Sequence, residues 1–92
     1  MLENTFDELL KWVVSSDRRQ ILMESMRGRD IVKAADVAHE TWRSTQNISR
    51  AMKELEGRGL MECLTPEKST WKKYILTDVG ERVLAKMEEM NF

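Results

Sequence analysis

Between Ser44 and Lys53 the chain reads STQNISRAMK, and its side chains sort by chemistry. At about 100° per residue, Thr45, Gln46, Ser49, Arg50 and Lys53 fall on one stripe of a helix, while Ile48, Ala51, Met52 and Leu55 fall on another. The second stripe asks for a core. The first offers short donors and acceptors, one planar guanidinium and one ammonium. Gln can pair bidentately with adenine, Arg with guanine, and a hydroxyl with a base edge or a phosphate. No acid precedes Glu54, although a helix dipole favours acids in the first turn; a carboxylate there would be repelled by phosphates. This is the composition of a helix that enters a DNA major groove with its N-terminal residues toward the bases. A face that meets only water would more often carry Glu and Lys in pairs four residues apart.

Such a helix needs neighbours to hold its apolar side. Ser44 is the expected N-cap, its hydroxyl accepting from the amide of Gln46 or Asn47, and the helix is expected over 44–56, closed by Gly57 and Gly59. Upstream, NTFDELLKWVV places Phe6, Leu9, Leu10, Val13 and Val14 at helical spacing, with Asn4 as N-cap. SDRRQILMESMRG starts from Ser16 or Asp17, carries Ile21, Leu22 and Met26 on one side and ends at Gly28, suited to a left-handed cap. These segments are one bent helix or two. Ile31 and Val32 are β-prone, and a brief helix follows over 34–41 without Ser, Thr or Asp just ahead to cap it. Downstream, strands over 60–65 and 71–77 flank the loop PEKST, where Pro66 lacks the amide needed to continue the first strand. Thr77 or Asp78 caps a last helix with Val79, Val83, Leu84, Met87 and Met90 on one stripe and Gly80 in its first turn. This order predicts a mainly α chain with a small β-hairpin wing, a winged helix-turn-helix, forming a single domain over residues 1–92 with flanking N- and C-terminal helices.

Bulk properties bound the partners. A net charge of −1 by itself argues against a nucleic-acid binder, but distribution matters more than the sum. Residues 1–40 carry 6 basic and 8 acidic side chains, 41–73 carry 7 and 4, and 74–92 carry 2 and 4, so a middle of +3 lies between ends of −2 each. No apolar run approaches the ~20 residues of a membrane span, and the acidic start MLENTFDE lacks the order of a signal peptide. The single Cys63 rules out an internal disulfide framework. A cytoplasmic protein without membrane contact is expected.

Catalytic and metal chemistry find no foothold. His39 is the only histidine, and with Cys63 it makes too few ligands for zinc. Cys63 shares a strand face with Met61 and is expected to be a small buried hydrophobe. Gly28, Gly57, Gly59 and Gly80 form no phosphate loop, and no Ser-His-Asp set can be assembled. No enzyme activity, cofactor or metal is expected.

The run DVAHETWRSTQNISRAMKELEGRGLMECLTPE, followed by KKYILTDVGERVL, resembles winged helix-turn-helix transcriptional regulators of the MarR and ArsR type, in the form common among archaeal proteins. The resemblance covers about residues 16 to 85 and is carried by Ser44, Ile48, Ser49, Arg50, Met52, Lys53, Leu55, Glu56, Gly59, Leu60, Tyr74, Leu76, Thr77 and Gly80. It implies a regulator that binds double-stranded DNA, with 34–41 positioning 44–56 and the wing 66–73 touching backbone or minor groove. Two positions depart from the family pattern. Trp42 stands where many relatives have a glycine, and Trp71-Lys72 where many have Gly-Arg. Lys72 keeps the charge but lacks the planar fork of Arg, so phosphate contact by Lys68, Lys72 or Lys73 is expected, with Arg43 beside the cap as a further phosphate partner. The paired cysteines of metal-sensing relatives are absent.

Trp12 lies off the main stripe of the first helix, and the last helix offers Met87, Met90 and Phe92. A homodimer is therefore expected, as the resemblance also implies, with Phe6, Leu9, Trp12, Val13, Leu84, Met87 and Met90 at its interface. The alternative packs the first and last helices on each other within one chain. For function, the alternative is a winged-helix module that binds another protein, suggested by the net acidity and by Trp42 and Trp71 on the outward side.

Overall fold

The computed structural model describes residues 2–29, 31–69 and 71–90; side chains are described from Phe6 onward. Its elements run α1 (Leu2–Val14), α2 (Asp17–Ser25), β1 (Val32–Lys33), α3 (Ala34–Thr41), α4 (Thr45–Gly57), β2 (Met61–Cys63), β3 (Lys73–Leu76) and α5 (Asp78–Glu89). The predicted order holds, and the first two segments are separate helices. The α1 helix takes in Asn4, which is therefore not its cap. The Ser16 hydroxyl caps α2 by accepting from the Arg19 amide, and Gly28 follows with φ +74°. Phe92 lies outside the described residues.

The core is built where apolar stripes converge. Ile48, Ala51, Met52 and Leu55 of α4 are all at 0 % exposure, packed with Leu22, Met23, Val37, Val83 and Met87. Fully burying one such side chain stabilises by roughly 1.5–3 kcal/mol, so this stripe fixes which edge of α4 faces outward. Ser44 caps the helix by accepting from the Asn47 amide at 3.1 Å. At the other end the Leu60 amide donates to the Leu55 carbonyl and the Gly59 amide to the Glu56 carbonyl, with Gly59 at φ +78°. That is the Schellman arrangement, in which a residue at positive φ closes the helix and the apolar pair Leu55–Leu60 seals it.

The sheet differs from expectation in two ways. Both hairpin strands are shorter than 60–65 and 71–77, and a third strand joins them. The order is β1-β3-β2, antiparallel throughout, with Val32 opposite Tyr74 and Met61 opposite Leu76. The second strand begins late because Trp71 sits at φ +58°, outside any extended conformation. Cys63 is half-buried rather than buried, packed at the margin of the core. Besides its pairing with β1, the hairpin is anchored to the helical body at Thr77. The Thr77 amide donates to the Leu60 carbonyl at 3.1 Å, and its hydroxyl donates to the Gly59 carbonyl at 2.6 Å while accepting from the Gly80 amide at 3.1 Å. A Cβ at Gly80 would collide with the Leu60 carbonyl oxygen. This close approach, rather than any need for positive φ, calls for glycine there.

Candidate nucleic-acid interface

The outward edge of α4 is open. Ser44, Thr45, Gln46, Arg50 and Lys53 are exposed and Ser49 is half-buried. No acid stands in the first turn. The first carboxylate along α4, Glu54, turns inward, where Arg19 Nε donates to it at 3.2 Å and Arg18 lies 3.9 Å away. Arg19 also donates to the Trp12 carbonyl at 3.0 Å and stacks its guanidinium 4.0 Å from the Trp12 ring centroid. Arg58, just past the end of α4, covers the same ring at 4.6 Å. The acid is thereby neutralised, and α4 is braced against α1 and α2.

Two recesses border this edge. One, of about 450 Å3, runs along Thr45, Gln46, Ser49, Arg50 and Lys53. The other, about 580 Å3, separates α4 from the wing and is lined in part by Lys33, Lys53, Lys72, Trp71, Thr45 and Ser49. Among the described residues, no carboxylate lines either recess. Lys33 is a member that sequence reasoning missed. It reaches the groove because β1 pairs with β3, which sets Lys33 directly opposite Lys73. Like charges facing across strands repel, and an anion at this margin would relieve them. Lys68 and Lys73 are exposed but lie outside the groove. Arg43 is ion-paired with Asp17 of α2, so its charge already has a partner within the chain.

Two tryptophans are left-handed, and of the two Trp71 lines the groove between α4 and the wing. Trp42 ends α3 at φ +59° with its side chain 96 % exposed, and Trp71 precedes Lys72 at φ +58°, 68 % exposed. No cluster of potential metal ligands occurs among the described residues.

No protein-family model matches this sequence, and no curated protein sequence matches it. Solved structures do match its fold. The PcaV transcriptional regulator from Streptomyces coelicolor superposes with a TM-score of 0.70 at 14% identity, over 96% of this chain and 71% of that one. The AntR antimony-specific transcriptional repressor gives 0.68 at 20% identity, over 89% and 77%. A mutant MarR from E. coli, complexed with operator DNA, gives 0.69 at 17% identity, over 97% and 67%. The fold is the MarR-type winged helix. Within it, α3 and α4 form the helix-turn-helix and the β2–β3 hairpin forms the wing.

In this MarR-type fold the flanking helices α1 and α5 pack on each other inside one chain. Val13 and Met87 are at 0 % exposure and Leu84 at 7 %, so these three belong to the chain's own core and cannot meet a second copy without opening it. Trp12 is half-buried between its two guanidiniums. Phe6 and Leu9 are half-buried, Met90 is 44 % exposed, and the Arg82 guanidinium lies 5.5 Å from the Phe6 ring centroid. Of the seven residues expected at an interface, Phe6, Leu9 and Met90 retain free apolar surface. No helix among the described residues is long and apolar enough to cross a membrane.

Proposed function

We propose that this chain binds double-stranded DNA in a sequence-dependent manner and regulates transcription as a homodimer, inserting α4 into the major groove. The observation that carries the reading is the open, carboxylate-free edge of α4 beside a groove bearing Lys33, Lys53 and Lys72. Gln46 and Arg50 are the base readers, through adenine and guanine respectively. Ser44, Thr45, Ser49 and the lysines hold the phosphates, while Arg43 contributes only if it leaves Asp17. A neighbour of the same fold is described in complex with operator DNA, which supports the same use of the helix here. Phe6, Leu9 and Met90 supply the apolar contact between copies. Two reading helices related by a two-fold axis would stand about 34 Å apart and favour an inverted repeat. The site is expected to work in the cytoplasm, without metal or cofactor.

Anisotropy of a labelled duplex tests this. If a dimer neutralises ~6–8 phosphates, log K falls with log salt at a slope of about −5 to −7. Arg50→Ala weakens binding to a preferred sequence by ~1–3 kcal/mol and relaxes the preference. Absence of salt-sensitive binding at low ionic strength would sink the proposal. It would favour a protein-interaction module instead, the reading that the exposed rings of Trp42 and Trp71 support.

A further inference from the structure

Trp71 is unfavourably placed on two counts. Its backbone is left-handed, at φ +58°, where a Cβ is strained and glycine is not. Its indole is 68 % exposed, so burial within the chain returns little. Glycine would serve this turn better, and the side chain needs a reason that lies outside the monomer. Strained backbone at a ligand-facing position is a recurring way to aim a functional side chain.

The surroundings of the ring supply the reason. Trp71 lines the groove between α4 and the wing together with Lys33, Lys53 and Lys72, and Thr45 and Ser49 form the facing wall. An aromatic surface among three ammoniums and two hydroxyls suits a partner in which anionic groups alternate with apolar ring surface. A sugar–phosphate backbone has that alternation: its oxygens meet Lys, Ser and Thr, and its rings offer faces to an aromatic side chain. An acidic protein would satisfy the lysines but would leave the indole among carboxylates.

We propose that Trp71 is a DNA-contact residue, packing its ring on a deoxyribose of the strand whose phosphates lie among Lys33, Lys53 and Lys72. The assignment rests on the DNA-binding reading above and deepens it. The wing then grips the backbone by shape, and its charge comes from Lys72 beside the ring.

Charge and ring contacts leave different traces in salt titrations. Losing a phosphate-bound lysine reduces the salt slope by about 1, because one fewer counterion is released. Losing an uncharged ring lowers affinity equally at every salt concentration and leaves the slope alone. The experiment compares wild type, Trp71→Gly, Trp71→Phe, Lys72→Ala and Lys53→Ala. Each binds a fluorescein-labelled mixed-sequence duplex about three helical turns long, between about 50 and 200 mM salt. Melting temperatures are measured alongside. Trp71→Gly is expected to bind about tenfold more weakly with an unchanged slope, while melting at or above the wild-type temperature. Trp71→Phe recovers most of the affinity, and both lysine variants show shallower slopes. The assignment is overturned if Trp71→Gly binds like wild type while Lys53→Ala is weakened. It is equally overturned if the glycine variant loses affinity together with melting temperature, which marks a structural role. If wild type shows no salt-sensitive binding to the duplex, the DNA reading fails and takes this assignment with it.

Discussion

Replacing Trp42 with glycine should make this protein more stable. Trp42 sits at φ +59° with its ring 96 % exposed, so the indole contributes almost no burial and the backbone carries its full left-handed strain. That strain is roughly 1–2 kcal/mol for a residue with a Cβ. Glycine removes it but adds freedom to the unfolded chain, which costs about 0.4–1 kcal/mol. The net gain for Trp42→Gly is therefore about 0.5–1 kcal/mol, or roughly 2–8 °C in melting temperature for a domain of this size. Trp42→Ala is the informative control, because it deletes the ring and keeps the Cβ; its stability should stay within about 0.5 kcal/mol of wild type. Thermal melts followed by circular dichroism read both. A glycine variant that melts below wild type would show that the indole supports the fold in a way its exposure denies. An alanine variant that matches the glycine gain would place the benefit in losing the ring, and the strain argument would fail.

Three other perturbations probe the framework. Gly80→Ala forces a Cβ against the Leu60 carbonyl and should destabilise by about 1–3 kcal/mol despite alanine's better helix propensity, seen as a lower urea midpoint. Ser44→Ala removes the acceptor for the Asn47 amide and should cost ~1 kcal/mol in the same assay. Tyr74 is the only tyrosine, and burial first, then the neighbouring Cys63, pushes its phenol above 10.0. Absorbance at the phenolate band should show ionisation at a higher pH in the folded protein than in denaturant. Since the folded group holds its proton more tightly, the associated stability is complete below the unfolded pKa and is lost as pH climbs through the folded one; coincident folded and unfolded titrations would contradict this.

What could be read in the sequence was whatever depends on neighbours along the chain. The Ser44 and Thr77 caps, the apolar stripe of α4 and the closing role of Gly59 are local, and each is where the residue pattern puts it. Long-range pairing left weaker marks. The β1 strand is only two residues long and finds Tyr74 and Lys73 across forty intervening positions' worth of chain, roughly. Nothing local could therefore announce that Lys33 reaches the groove. The ion pair between Arg43 and Asp17 was hidden for the same reason. Strand ends were overestimated because alternation of residue types does not report a left-handed tryptophan. The stripes of α1 and α5 exposed a different blindness: periodicity says that a face is buried, not whether its partner is the same chain or another copy. Val13, Leu84 and Met87 fit both readings equally until coordinates place them inside one core.

The anchor at Thr77 has a consequence for how such a chain can diversify. Because the hairpin departs at Leu60 and is pinned again by Thr77 to Gly59 and Leu60, its tip hangs from a closed ring of bonds, like a pendant from a clasp. Strain from a longer or recomposed tip would dissipate within the ribbon before reaching α4. The wing and the outward edge of α4 can thus vary separately, one by swapping a loop and the other by changing the exposed letters of a helix whose opposite face is buried.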